Sequence, residues 1–169
     1  MYFDQADRNH DKLLLMSEVL EYAETLKKLT NMEDAKIEPL RDVLREFYGQ
    51  CGVTEKGAKR EDWVELVSNS VAKDIERMKN GGKESMLIYK FCRTWFNALD
   101  LNKDGVLDKE EFMNYSKCFG REEANSYMFG MADVDKNGTV EWDEYFNLIL
   151  KFWYEIEEGN IDQMYGGHN

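Results

Sequence analysis

The stretch "DLNKDGVLDKEE", residues 100–111 and loop 3 in chain order, has side-chain oxygens at its first, third, fifth, ninth and twelfth positions. Gly105 occupies the sixth position, where a sharp reversal of the chain calls for a positive φ. A calcium ion binds roughly six to eight hard oxygens, and a loop with this spacing can supply them. The stretch therefore predicts a calcium site between two helices, with these ligands: Asp100, Asn102, Asp104, the Val106 carbonyl, Asp108 and Glu111.

A second stretch, "DVDKNGTVEWDE" at residues 133–144 (loop 4), repeats the scheme with Gly138 at its sixth position. The apolar residue at the eighth position of such a loop pairs with its counterpart in a partner loop, which here joins Leu107 to Val140. Loops 3 and 4 are therefore expected to form one pair of strong calcium sites. The predicted ligands of loop 4 are Asp133, Asp135, Asn137, the Thr139 carbonyl, Glu141 and Glu144.

The stretch "DRNHDKLLLMSE" at residues 7–18 (loop 1) keeps the main oxygens but has Lys12 at the sixth position and Leu15 at the ninth. A left-handed Lys12 costs roughly 1–2 kcal/mol, which weakens a site without abolishing it. The stretch predicts a third calcium site, and the alternative is a loop with a structural role only. Six residues precede Asp7, so its entering helix is expected to fray or to continue into residues missing upstream. The predicted ligands are Asp7, Asn9, Asp11, the Leu13 carbonyl and Glu18.

A fourth stretch, "CGVTEKGAKRED" at residues 51–62 (loop 2), occupies the place of loop 1's partner. Its first, third and sixth positions are Cys51, Val53 and Lys56, and only Glu55 and Asp62 remain as side-chain oxygen donors. We expect it to bind no ion and to brace loop 1.

Apolar residues elsewhere repeat at helical spacing, and long β-type alternation is missing. One helix is expected to begin at Pro39, and a second to turn an apolar stripe inward from Trp63 and Val64 to Met78. Further stripes run from Leu87 to Trp95 and from Trp142 to Trp153. The pattern predicts an all-α, compact protein of four helix–loop–helix units in two paired lobes. The predicted division is residues 1–79, a linker at 80–83, and residues 84–169 with a C-terminal tail.

The composition favours a cation as the partner. The 169 residues carry 22 basic and 34 acidic side chains, for a net charge of −12. This balance argues against nucleic acid or an anionic membrane. Three cysteines without a CxxC pair favour buried free thiols and a cytoplasmic location. An apolar run long enough to span a membrane and a secretion signal are both missing from the sequence.

These loops resemble those of EF-hand proteins, in particular invertebrate sarcoplasmic calcium-binding proteins and calcium-regulated photoproteins. The resemblance spans the chain: one active loop, a degenerate one, then an active pair. It implies a calcium-binding protein, with magnesium as a competitor. Photoproteins hold a peroxidised luciferin against His, Trp and Tyr side chains. Trp153 and Tyr165 match that set by position, but the expected histidine is Ile149, which lacks an imidazole's proton donor and acceptor.

We therefore predict a monomeric cytosolic calcium buffer of the sarcoplasmic type that is not an enzyme. The nine methionines are scattered rather than grouped as in a groove for target helices. A calcium sensor that binds target helices and a photoprotein-like or luciferin-binding protein are the alternatives.

Overall fold

The computed structural model describes residues 2–120 and 125–154, and helices dominate this part of the chain. The helices are α1 (Tyr2–Ala6), α2 (Met16–Thr30), α3 (Asp34–Gln50), α4 (Trp63–Gly81), α5 (Leu87–Leu99), α6 (Lys109–Cys118), α7 (Asn125–Ala132) and α8 (Trp142–Tyr154). The two-residue strands are β1 (Leu13–Leu14), β2 (Ala58–Lys59), β3 (Val106–Leu107) and β4 (Val140–Glu141). Short 3₁₀ turns precede α4 and α5. The prediction of an all-α protein with four EF-hand units in two paired lobes is confirmed.

Each pair of loops is joined by a short antiparallel ladder. In the first pair β1 lies beside β2, with Leu14 opposite Ala58. In the second pair β3 lies beside β4, with Leu107 opposite Val140. All four are the eighth residues of their loops, and all four are buried. The predicted pairing through the eighth position is confirmed.

The chain forms two compact units, one ending at Thr94 and the other beginning at Trp95. The predicted linker at 80–83 lies at the end of α4 and the following turn, where Gly82 has a φ of 78°. Each unit buries its own apolar residues, and a fully buried large side chain contributes about 1.5–3 kcal/mol. Fully buried side chains of the first unit include Phe3, Tyr22, Leu26, Ile37 and Leu44, and those of the second include Trp95, Phe96, Phe112, Tyr145 and Phe146.

The predicted start of a helix at Pro39 is wrong, because α3 begins at Asp34 and contains Pro39. Proline removes one helical hydrogen bond there. Ile37 and Leu40 on either side of it are buried in the core, and an ion pair from Arg41 to Asp34 holds the first turn. Tertiary burial thus outweighs the local cost.

The predicted inward stripe of α4 is also wrong in part. Val64 is 76% exposed and Met78 is 44% exposed. The buried face carries Trp63, Ser70 and Asp74 instead. Two of these residues are polar, and Val67, Val71 and Ile75 of the predicted stripe are half-buried. Apolar spacing therefore finds the edge of the buried face and misses its centre.

The cysteines and the apolar character of the helices bear on two of the predictions. The three cysteines are free and buried, as predicted: Cys51, Cys92 and Cys118. Burial raises the pKa of the Cys51 and Cys92 thiols. Among the described helices, none combines the length and the apolar character needed to cross a bilayer.

Candidate metal centres

Loops 1, 3 and 4 share one hydrogen-bond frame. In each, the carboxylate at the first position accepts a bond from the backbone N–H at the sixth. The pairs are Asp7 with Lys12 at 2.8 Å, Asp100 with Gly105 at 3.1 Å, and Asp133 with Gly138 at 3.1 Å. This bond closes the loop around the first ligand and fixes the carboxylate's orientation.

The frame depends on positive φ angles that sequence reasoning predicted only at the sixth position. Lys12 has a φ of 69°, as expected, against 89° for Gly105 and 90° for Gly138. The fourth positions are also left-handed, a feature the sequence analysis missed, because lysine and histidine give no signal for it. These residues are His10, Lys103 and Lys136, with φ near 60° at 59°, 60° and 60°.

In loop 1 the predicted ligands Asp7, Asn9 and Asp11 surround the same turn. The N–H of Asp11 donates to Asn9 Oδ1 at 2.8 Å and to Asp7 Oδ1 at 3.2 Å. Glu18 closes the loop through Oε2, which accepts from the N–H of Leu15 at 2.9 Å. Its other oxygen, Oε1, is buried and has no hydrogen-bond partner among the described residues. A buried carboxylate oxygen without a partner is costly unless a cation meets it.

Loop 3 repeats this closure with its own glutamate. Glu111 Oε2 accepts from the N–H of Asp108 at 3.1 Å, and Oε1 accepts from the N–H of Leu101 at 2.8 Å. Asp108 in turn caps α6 by accepting from the N–H of Glu111 at 2.8 Å. Asp100 Oδ1 is buried and has no hydrogen-bond partner among the described residues. Loop 3 thus also presents a carboxylate oxygen that a cation would satisfy.

Loop 4 brings its acidic side chains closest together. Carboxylate oxygens of Asp133, Asp135 and Glu144 lie within 4.8 Å of one another. Among the described residues, no other set of three or more acidic, histidine or cysteine side chains comes this close together. Asn137 Nδ2 bridges to Asp135 at 3.1 Å and to Glu141 at 2.8 Å. Such a cluster of like charges is stabilised by a divalent cation.

Protons compete for the same cluster. Burial raises the pKa of the Glu144 carboxyl, and a hydrogen bond with Glu141 raises it further. That hydrogen bond to Glu144, followed by one to Asn137, lowers the pKa of Glu141. As the pH falls, Glu144 therefore takes up a proton before Glu141 does. Glu144 is also the residue at the position from which a glutamate would bind an ion with both oxygens.

The residues present fit calcium. Hard carboxylate, amide and carbonyl oxygens are the donors that calcium and magnesium prefer. The predicted carbonyl ligands are placed consistently: Leu13 and Val106 begin β1 and β3, and Thr139 immediately precedes β4. The assignment of individual ligands stays a prediction.

Loop 2 has a different interior. Cys51 and Val53, at two ligand positions, are buried with exposures of 2% and 1%. Glu55 and Asp62, its remaining oxygen donors, are exposed. Two of the ligand positions are thus part of the apolar core; that this loop binds no ion stays a prediction.

Comparison with known proteins places these loops in a family. A model of the EF-hand domain pair matches residues 88–150, which include loops 3 and 4. Berovin from the ctenophore Beroe abyssicola, a light-sensitive photoprotein solved in its Ca²⁺-loaded apoprotein state, is 34% identical with a TM-score of 0.81. That match covers 90% of this chain and 84% of berovin. The chain belongs to the photoprotein family of EF-hand proteins.

The aequorins are less similar to this chain than berovin is. Aequorin-2 from Aequorea victoria is 26% identical over 177 residues, covering 98% of this chain and 85% of aequorin-2. Calcium-loaded apo-aequorin, at 20% identity and a TM-score of 0.79, supports the fold alone; that match covers 94% of this chain and 89% of apo-aequorin. A Mg²⁺-loaded apo-berovin structure is described as having magnesium in all three of its Ca²⁺-binding loops.

Helix α1, which enters loop 1, is tied to loop 2 and to the helix α4 that follows it. Arg60 donates from Nε and Nη2 to the two carboxylate oxygens of Asp4, at 2.6 and 3.0 Å. The rings of Phe3 and Trp63 meet edge to face at 5.7 Å, and both residues are buried. Helix α1, five residues long, would be marginal alone, and these contacts hold it in place. They were missed because the partners lie far apart in the sequence.

The residues predicted for luciferin contact are described only in part. Tyr165 and the side chain of Trp153 lie outside the described residues. Ile149 on α8 is buried with an exposure of 6%.

Proposed function

We propose that the protein is a calcium-regulated photoprotein: calcium in its loops triggers light emission from a luciferin that the chain holds. The observation that carries this proposal is the 34% identity to a light-sensitive photoprotein across 90% of this chain. The three loops with a common hydrogen-bond frame support the calcium trigger. A location in the cytosol and a monomeric state stay predictions.

The proposal includes three ion sites, in loops 1, 3 and 4. Loop 1 is included because the buried Glu18 Oε1 has no hydrogen-bond partner among the described residues and would be satisfied by a cation, and because α1 is tied in place by Asp4 and Arg60. Magnesium is proposed as a competitor at each site, since the donors are hard oxygens and the berovin loops are described as taking up magnesium. Loop 2 serves as the partner of loop 1.

A calcium buffer is the second candidate, and Ile149 is the observation that favours it. An apolar side chain buried at this position supplies no proton to a bound luciferin. A buffer would bind calcium without exposing an apolar groove and would hold no chromophore. The prediction from the sequence that the protein is not an enzyme would hold if this second candidate were correct.

Charging the apoprotein with the luciferin of known photoproteins, in the presence of oxygen, separates the two candidates. The photoprotein proposal expects retention of the luciferin through gel filtration and a burst of light on adding calcium. A Glu111→Gln, Glu144→Gln double variant is the matched control, and it should retain luciferin but respond weakly to calcium. Three bound calcium ions with neither retention nor light would overturn the proposal in favour of the buffer.

A further inference from the structure

A buried carboxylate on α4 caps the start of α5. Asp74 is 1% exposed, and its Oδ1 and Oδ2 accept bonds from the backbone N–H groups of Leu87 at 2.8 Å and Ile88 at 2.9 Å. Arg77 donates to the same carboxylate at 2.6 Å and balances its charge. Bonds from backbone N–H groups to an ionised carboxylate are stronger than neutral ones, and a negative charge is favourable at a helix N-terminus.

The residues next to α5 cannot supply this cap. Met86, whose carbonyl accepts from the N–H of Lys90 at 3.3 Å, stands where a capping side chain would be and has no oxygen there. The hydroxyl of Ser85 is used in the preceding turn, where it donates to the carbonyls of Arg77 and Gly82, both at 2.7 Å. The first N–H groups of a helix lack partners within it, so α5 depends on a residue from another helix.

Helix α5 leads from this cap directly into loop 3. It ends at Leu99, and the N–H of the first predicted ligand, Asp100, still donates to the Phe96 carbonyl at 2.9 Å. Its 13 residues give a rod about 20 Å long. The cap and the first ligand are thus the two ends of one continuous helix.

We propose that Asp74 is a positioning residue for loop 3, through which calcium binding there is coupled to the junction of α4 and α5. Ion binding in an EF-hand sets the angle between the entering and exiting helices. An entering helix anchored at its far end reaches loop 3 already ordered, so less ordering free energy is spent on binding. Coupling is reciprocal: the cap strengthens calcium binding, and calcium strengthens the cap.

The matched pair of variants is Asp74→Asn and Asp42→Asn. Both remove the charge of an aspartate that pairs with an arginine three residues later on its helix, but Asp42 is exposed and its ion pair with Arg45 lies at the surface. Both are made with Glu144→Gln, which silences loop 4, so that calcium titration reports on loops 1 and 3. Amide hydrogen exchange at Leu87 and Ile88 is measured with and without calcium.

Asp74→Asn is expected to weaken calcium binding at loop 3 by about fivefold or more, within the usual range of coupling between sites, and to leave loop 1 unchanged. Calcium should slow exchange at Leu87 and Ile88 in the parent protein, and Asp42→Asn should behave as the parent. The milder Arg77→Gln variant should shift loop 3 in the same direction and serves if Asp74→Asn does not fold.

Two results would overturn the proposal. The first is faster exchange at Leu87 in Asp74→Asn with an unchanged affinity at loop 3, which would make the cap structural only. The second is an equal loss at loops 1 and 3, which would reflect general destabilisation. Neither readout depends on light emission, so the proposal stands or falls separately from the proposed function.

Discussion

The sixth residue of loops 1, 3 and 4 shows how a single backbone angle serves the ion site. Lys12, Gly105 and Gly138 all direct their N–H groups to the carboxylate at the first position. Glycine does so without steric cost, whereas lysine pays roughly 1–2 kcal/mol for a left-handed conformation. Loop 1 therefore has the same geometry as its relatives but at a higher internal energy.

Replacing Lys12 with glycine should tighten calcium binding at loop 1, because it removes both the backbone strain and a positive charge beside the ligands. A gain of about three- to tenfold is expected in a calorimetric titration, from a strain of roughly 1–2 kcal/mol shared between folding and binding. Lys12→Asn is the control, since asparagine tolerates the left-handed region and lacks the charge. An unchanged affinity in both variants would mean that Lys12 does not limit the site.

Calcium binding at loop 4 should weaken on mild acidification. The raised pKa of Glu144 means that this carboxyl takes up a proton at a higher pH than an ordinary glutamate, and the protonated form cannot offer both oxygens. Affinity should therefore fall as pH drops through this raised pKa, with one proton released per ion bound below it. Titrations in a Glu111→Gln background, from neutral to mildly acidic buffer, measure the effect.

Glu141→Gln is the matched control for this pH dependence. It removes the acidic partner whose hydrogen bond helps to raise the pKa of Glu144. The loss of affinity should then begin at a lower pH than in the parent. Coincident pH profiles for the two proteins would show that the Glu141–Glu144 contact does not control binding.

At the scale of elements, the two-residue strands hold each pair of loops in register. In the first pair, Gly57 lies one residue before Ala58 with a φ of 79°, against the side chains of Leu13 and Leu15. Leu15, at the ninth position of loop 1, thus packs towards loop 2. The degenerate loop supplies a surface for its partner in place of an ion site.

Gly57→Ala should destabilise the protein by about 1–3 kcal/mol, from left-handed strain and overpacking together. A Cβ there would lie 2.6 Å from Leu13 Cγ. Gly49→Ala is the control, because a Cβ at that helical position meets nothing within 4 Å and alanine favours the helix. It should raise the free energy of unfolding by roughly 0.5–1 kcal/mol, measured by chemical denaturation. Equal effects of the two variants would contradict this account of the strand pair.

The ion pair between Asp4 of α1 and Arg60 of loop 2 predicts a smaller effect on calcium affinity, exerted from outside loop 1. Arg60→Ala should weaken calcium binding at loop 1 by about two- to fivefold, since a solvent-screened ion pair makes only a small contribution. The charge-swapped pair Asp4→Arg, Arg60→Asp should restore most of the affinity. If the swap did not restore calcium affinity at loop 1, the ion pair would not be what holds α1, and the Phe3–Trp63 contact would be left to do so.

At the scale of the whole molecule, the sequence predicted what depends on fixed local spacing. The helix–loop–helix order, the paired eighth residues and the left-handed Lys12 follow from the loop pattern alone.

The centre of the buried face of α4 could not be predicted from apolar spacing, because Ser70 and Asp74 are buried by partners distant in sequence: Gln50, Leu87 and Ile88. An aspartate between the apolar positions Val71 and Ile75 was the available signal. The start of α3 before Pro39 required tertiary burial that local propensity does not contain.

The number of ions per chain tests how the four units divide their roles. With 34 acidic and 22 basic side chains, the molecule attracts divalent cations without specific sites, so stoichiometry must be measured at high monovalent salt. The parent should bind three calcium ions, one each in loops 1, 3 and 4. Glu18→Gln, Glu111→Gln and Glu144→Gln should each lose one, because the amide cannot offer two anionic oxygens.

Asp62→Asn supplies the decisive control, since Asp62 ends loop 2 as those glutamates end the other loops, and yet it is exposed. Its variant should keep all three ions, measured by calorimetry or by metal analysis after desalting. Loss of an ion in Asp62→Asn would mean that loop 2 is a site despite the buried Cys51 and Val53. If Glu111→Gln and Glu144→Gln both kept the parent's stoichiometry, the assignment of loops 3 and 4 would be wrong. The same ions would trigger light emission, but the two proposals are tested separately. Three bound ions without emission would support the assignment of the loops and contradict only the proposed binding of a luciferin.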